Sequence, residues 1–326
     1  MTALSLFTVL FLAFVLGRNN LSNIFGFAIG TKMVSFRKGF CAAVVFFMAG
    51  AFISGAATTQ NVVRLGMITD YADSFAVSLG AGLMLLILGK IGCPASIVQT
   101  MTGAYTAFNL FYFKPLPAEL LTHSVLAWFY APLLGAVFTF FGFKGVHFLL
   151  RRYPIRLLLR DRVNRGGLVF VGAFSAYAFG ANNIGSVLAP QVAFVPRVPL
   201  LVCVTLFVSL GFFFADKKVI KTVSKGLFPL SSTEAFVVAF MSAFTLLLFS
   251  SQTLAQLAHG LSLPWFKLVP IPLSSVLVGS VFGIALSKGI TGLKFKTLGL
   301  VLISQFISPL GAGLLTYGFL ICVNGV

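Results

Sequence analysis

The 326-residue chain is 59% hydrophobic and only 9% charged, with a mean hydropathy of +1.04. A soluble domain carries about a quarter charged residues, so that class is excluded. The net charge of +17 does not mark a nucleic-acid binder, because the cations sit in short stretches between apolar runs rather than on one face of a soluble fold.

In chain order, apolar segments fall at 1–16, 39–59, 74–90, 95–112 and 121–143, then at 167–180, 200–215, 234–250, 272–287 and 297–322. Several are shorter than the ~20 residues of a full span, which predicts broken or re-entrant pieces. Residues 1–16 lack the basic start and small-residue cleavage site of a signal peptide and read as a first span. The pattern predicts an all-α integral membrane protein of about ten transmembrane segments, in two inverted repeats of five at 1–143 and 167–326. The intervening 144–166 carries Lys144, Arg151, Arg152, Arg156, Arg160, Arg162 and Arg165 against Asp161, seven positive minus one negative, or +6. That bias predicts a cytoplasmic linker and leaves an anionic-lipid contact open.

Matched loops reverse their charge. The stretch 31–38 has Lys32, Arg37 and Lys38, while 190–199 has only Arg197. The stretch 62–73 nets −1 from Arg64, Asp70 and Asp73, whereas 216–225 nets +3 from Asp216, Lys217, Lys218, Lys221 and Lys225. Similarly, 113–120 nets zero and 288–296 carries Lys288, Lys294 and Lys296. Five crossings per half require such a reversal, with both termini outside. The four cysteines, Cys41, Cys93, Cys203 and Cys322, form no CxxC pair and read as packing residues. His123, His147 and His259 lie near segment ends and read as interfacial.

One polar string occurs twice: Gly17-Arg18-Asn19-Asn20-Leu21-Ser22-Asn23 and Gly180-Ala181-Asn182-Asn183-Ile184-Gly185-Ser186. Lipid cannot satisfy side-chain amides, so each copy predicts a broken helix lining a protein-enclosed cavity. Further landmarks repeat: Pro94-Ala95-Ser96 against Pro272-Leu273-Ser274-Ser275, and Pro132 against Pro309. Broken helices aim backbone N–H groups at a cavity and favour anions there. Asn19, Asn23, Asn182, Ser96, Gln99, Thr100, Ser274 and Ser275 can donate to anion oxygens. A serine or threonine in a membrane helix usually bonds its own backbone or a neighbouring helix, which is the alternative to a ligand role.

The two strings resemble the duplicated GANDVANA signature of the PiT inorganic phosphate transporter family. The Pro-Ala-Ser, Pro-Leu-Ser-Ser and Ser308-Pro309 stretches resemble further elements of that family. The short length and the Asn182-Asn183 pair look most like its sulfate/phosphate permease branch. The resemblance implies a permease for a tetrahedral oxyanion, sulfate narrowly ahead of phosphate, bound between the repeats and carried by alternating access in a multi-pass cell membrane protein, the inner membrane in a bacterium. It implies that Asn19, Asn20, Asn23, Asn182, Asn183, Ser96, Ser274 and Ser275 bind substrate, and Arg18 joins them as a candidate on its charge and place in the string alone.

Two departures bear on coupling. Asn20 and Asn183 stand where the family motif has aspartate, and all six acidic residues fall in or next to loops. No cofactor is expected, sodium coordination should be weak, and proton or weak sodium coupling both stay open. Arg18 stands where the family has alanine. It either supplies fixed charge to the anion or snorkels to the interface. A non-transporting or regulatory paralogue on the same scaffold is the rival reading, and a homodimer is left open. No HExxH, GxSxG or paired intramembrane acids point to an enzyme.

Overall fold

The computed structural model describes residues 1–153, 156–251, 256, 260 and 270–325. His259 and the link residues 154 and 155 lie outside them. Ten helices follow the ten apolar segments: α1 (Thr2–Gly30), α2 (Phe36–Val63), α3 (Tyr71–Ile91), α4 (Ile97–Phe111), α5 (Ala118–Arg152), α6 (Leu157–Leu188), α7 (Arg197–Phe213), α9 (Ser232–Leu248), α10 (Leu273–Lys288) and α11 (Phe295–Asn324). A short α8 (Lys217–Lys221) continues into a π-turn at Thr222–Gly226. Among the described residues six helices are long and apolar enough to cross a membrane, or seven if α7 and α8, bent by 67°, form one span. Exposed Leu133, Phe141, Phe213, Leu310 and Leu314 clothe the outside, as expected of a surface facing lipid.

Local chemistry sets the helix ends. Asp70 caps α3 by accepting from the Ala72 amide, and Gly92 ends it at φ 91°, a left-handed position that suits glycine. Pro94 cannot extend that helix, so 93–96 runs on without helical structure until the Ser96 side chain caps α4. Ser231 and Glu234 form a reciprocal capping box at the start of α9.

One sequence expectation changes here. The duplicated strings do not break their helices: α1 runs unbroken through Gly17–Asn23 and α6 through Gly180–Ser186. The amides satisfy themselves on the helix, Asn20 Nδ2 donating to Leu16 O at 3.0 Å and Asn183 Nδ2 to Phe179 O at 3.3 Å. The breaks lie instead at 92–96 and 214–216, and 270–272 leads into α10 without helical structure. Residues 144–166 are also largely helical, completing α5 and opening α6. Leucine and arginine are good helix formers, and nothing before Pro154 stops the helix.

The glycines of the two strings serve helix crossing. A Cβ on Gly17 would collide with the Val208 carbonyl of α7, and one on Gly180 with the Phe47 carbonyl of α2. Backbones therefore meet without intervening side chains. Gly103 of α4 sits likewise against Pro309 of α11, and Gly279 of α10 against Pro132 of α5. The helix pairings come in matching sets: α1–α7 with α6–α2, α1–α3 with α6–α9, α4–α11 with α10–α5, and α3–α11 with α9–α5.

Charge separates between the two ends of the bundle. At one end Tyr112 donates to Asp73 Oδ1 at 2.7 Å and to Asn324 Oδ1 at 3.2 Å, and Ser74 donates to Gln191. At the other end Lys218 Nζ donates to Lys90 O and Lys294 Nζ to Lys225 O.

Candidate functional site

The duplicated asparagines meet the two irregular segments. On α1, Asn19 Nδ2 donates to Ala95 O at 3.4 Å, tying the helix to the segment that opens α4. On α6, Asn182 Oδ1 accepts from the Ile271 amide at 3.1 Å and its Nδ2 donates to Ser250 Oγ at 2.8 Å, tying that helix to the segment that opens α10. Each motif thus positions the entry of one short helix. The first turn of α10 has no side-chain cap, because Pro272 occupies the capping position, so its leading amides point out of the helix end.

Gln305 of α11 joins the two segments. Its Oε1 accepts from Ser275 Oγ at 2.9 Å and Ser274 Oγ at 3.3 Å, and its Nε2 donates to Pro94 O at 3.3 Å. Thr100 Oγ1 bonds both Ser96 O at 2.7 Å and the Ser308 hydroxyl. Sequence reasoning missed Gln305. Its signal was an amide side chain one helical turn before Pro309 in an otherwise apolar segment.

All of these polar residues are buried. Their donors are largely engaged: Asn23 Nδ2 reaches Asn20 Oδ1 at 2.9 Å, and Ser22 Oγ reaches Asn19 O at 2.6 Å. What remains open is acceptor capacity. Asn19 Oδ1, Asn23 Oδ1 and Gln99 Oε1 are buried without a hydrogen-bond partner. Asn19 and Asn23 are one turn apart on one face of α1, and Gln99 lies in the first turn of α4, just beyond the Ala95 that Asn19 holds. Buried orphan acceptors cost roughly 1–3 kcal/mol each, so this cluster calls for a hydrogen-bond donor or a cation. The sequence expected these amides to donate to an anion; their free atoms in this arrangement are oxygens.

Arg18 has a partner that sequence distance concealed. Its NH2 donates to Asp216 Oδ2 at 3.2 Å, and the Asp216 amide donates to Arg18 O at 3.0 Å. Asp216 also caps α8 through the Lys218 amide at 3.1 Å. A Cβ placed on Gly89 would lie 3.9 Å from Asp216 Oδ2 and 4.0 Å from Asn19 Oδ1, so the pair borders the acceptor cluster. Asp73 and Glu234, which unlike the half-buried Asp216 are buried, lie in the first turns of α3 and α9. Glu119 approaches His123 at 3.7 Å, and His147 stacks on Phe143.

The chain is 24% identical, over 98% of its length and 96% of the other's, to a protein of Methanocaldococcus jannaschii named "Putative phosphate permease". It is 27% identical to a sulfate permease of Bacillus subtilis, over 86% of this chain and 75% of that one. A solved sodium-dependent phosphate transporter superimposes with a TM-score of 0.81 at 19% identity, covering 100% of this chain and 99% of that one; at that identity the likeness shows the fold. The phosphate transporter family matches residues 16–164 and 159–256, which include both asparagine strings. The chain therefore belongs to the phosphate transporter family, as a multi-pass cell membrane transporter and not an enzyme.

Proposed function

We propose that the chain is a phosphate permease that works by alternating access, with the anion bound where the asparagine strings of α1 and α6 meet the openings of α4 and α10. The observation that carries this reading is the set of buried, unpaired oxygens of Asn19, Asn23 and Gln99. Phosphate at neutral pH still carries at least one P–OH and can donate to such oxygens. Sulfate carries none and would leave them unpaired, so the arrangement favours phosphate. Names of relatives alone are mixed, since a sulfate permease is among them.

In this reading Asn19, Asn23 and Gln99 accept from the anion or share a sodium ion. Ser96 and the uncapped start of α10 supply donors to its other oxygens, and Ser274 and Ser275 join them only by turning their hydroxyls away from Gln305 Oε1. Asn182, Asn183 and Asn20 hold the surrounding backbone. Arg18 offers charge-assisted hydrogen bonds to the anion once it exchanges Asp216 for it. Without a carboxylate in the motif, coupling is to protons or only weakly to sodium. The matching helix pairings support two inverted repeats of five segments, 1–143 and 167–326. The basic end, with residues 144–166, would face the cytoplasm.

Uptake of radiolabelled phosphate into proteoliposomes, with sulfate as competitor and with or without sodium and a pH gradient, tests the reading. Phosphate uptake that excess sulfate hardly inhibits is the expected result. Equal uptake of both anions would overturn the selectivity argument, and uptake of neither would favour the non-transporting paralogue.

A further inference from the structure

Away from the asparagine strings, a cavity of about 580 Å³ opens at the basic end of the bundle, between the ends of α5, α6, α9 and α10. Lys144, Arg151, Arg160 and Lys288 line it against one acid, Glu234, four positive minus one negative, or +3. That acid is already engaged. Glu234 Oε1 accepts from Lys288 Nζ at 2.8 Å and Oε2 from the Ser231 amide at 2.9 Å. The Arg160 guanidinium is held by Thr233 Oγ1, at 3.0 Å from NH2 and 3.3 Å from Nε. Among the described residues no carboxylate pairs with Lys144, Arg151 or Arg160. The cup therefore carries uncompensated positive charge, with the Ser231, Thr233 and Ser287 hydroxyls beside it.

The surface leading to the cup has its own pattern. Leu133, Val137, Phe141 and Phe148 of α5 are 64%, 40%, 66% and 69% exposed. At about 100° per residue they fall within one stripe about 80° wide, and Lys144 and Arg151 fall on that same stripe. Apolar side chains run down α5 toward the bundle's middle, and two exposed cations stand at its end. Lys144 Nζ lies 4.3 Å from the centre of the Phe140 ring, so its head is held at this level by a cation–π contact.

We propose that this cup holds the phosphate of an anionic phospholipid headgroup, with an acyl chain lying along the α5 stripe. The chemistry recognised is a tetrahedral phosphate anion, which free inorganic phosphate shares. The apolar stripe, continuous with Lys144 and Arg151, assigns the source to lipid, because a free ion has no use for it. Bound lipid would brace α5 and α6 against α10, the helix whose other end carries Ser274 and Ser275.

Thermal unfolding of the full chain in delipidated detergent tests the assignment, with phosphatidylglycerol, phosphatidylcholine or inorganic phosphate added. Phosphatidylglycerol should raise Tm more than phosphatidylcholine. Each cation near an anionic surface is worth about fivefold in affinity, so K144Q/R151Q should raise by about 30-fold the phosphatidylglycerol concentration needed for half of the Tm rise. K144R/R151K, which keeps both charges, should retain it and guards against a fold defect. R37Q/K38Q, which removes equal charge outside the cup, should also retain it. Equal effects of the two lipids, or equal losses in R37Q/K38Q and K144Q/R151Q, would overturn the site. A Tm rise with inorganic phosphate alone that K144Q/R151Q abolishes would overturn the lipid assignment.

Discussion

Arg18 NH2 and Asp216 Oδ2, 198 positions apart in sequence, form a 3.2 Å ion pair between α1 and the bend joining α7 to α8. The pair stands on a doubly fixed base. The Asp216 amide bonds Arg18 O, and the helices cross where Gly17 meets Val208 and Gly211 meets Phe14. Arg18 is therefore neither a bare charge in the cavity nor a simple interfacial anchor. Its charge is balanced until something competes with Asp216 for it. On the proposed function an arriving oxyanion would be such a competitor, because charge-assisted bonds to arginine suit carboxylate and phosphate alike.

Removing either partner should act in opposite directions. Arg18→Ala should weaken phosphate binding by about tenfold or more, the loss of one charge-assisted hydrogen bond of roughly 1.5–3 kcal/mol. Asp216→Asn should leave the guanidinium to the anion, tightening binding and slowing release. Equilibrium binding and single-turnover efflux from proteoliposomes check both. Normal affinity in both variants would make the pair a structural strut.

The orphan oxygens make a second demand. Asn19→Ala and Asn23→Ala should each raise the phosphate concentration for half-maximal uptake by about tenfold, taking ~1.4 kcal/mol for one lost bond. Asn183→Ala should change it less, since that amide already bonds Phe179 O. If Asn183→Ala proves as damaging as Asn19→Ala in well-folded protein, the site lies nearer α6 than argued.

Helix crossing should be intolerant of a single methyl group. Gly17→Ala and Gly180→Ala each place a Cβ against backbone carbonyl, which cannot rotate away. Overpacking of this kind costs about 1–3 kcal/mol, so Tm and the yield of monodisperse protein should fall. Gly318→Ala meets nothing within 4 Å and serves as the control. Unchanged Tm in Gly17→Ala would mean that α1 and α7 separate more easily than their contact suggests.

Orientation can be read with an impermeant thiol reagent. The native Cys41, Cys203 and Cys322 are exposed and must be replaced first. Arg162→Cys, at an exposed position of the basic stretch, should resist labelling from outside in right-side-out vesicles and react once they are opened. Labelling from outside would place the basic end in the wrong compartment for the positive-inside rule.

The sequence by itself determined the membrane class, the ten apolar segments and the two places where amides interrupt them. These are properties of local composition: water and lipid sort side chains by polarity before any tertiary contact forms. It predicted that Gly17–Asn23 breaks its helix, and that expectation failed because the outcome depends on whether each amide finds an acceptor. The fold supplies Leu16 O to Asn20 and Ala95 O to Asn19, and the helix runs on. It could not pair Arg18 with Asp216 or choose Gln305 as the bridge between Pro94 and Ser275. Those contacts join residues tens to hundreds of positions apart, and only the packing of backbone against backbone at glycine crossings decides which of them meet.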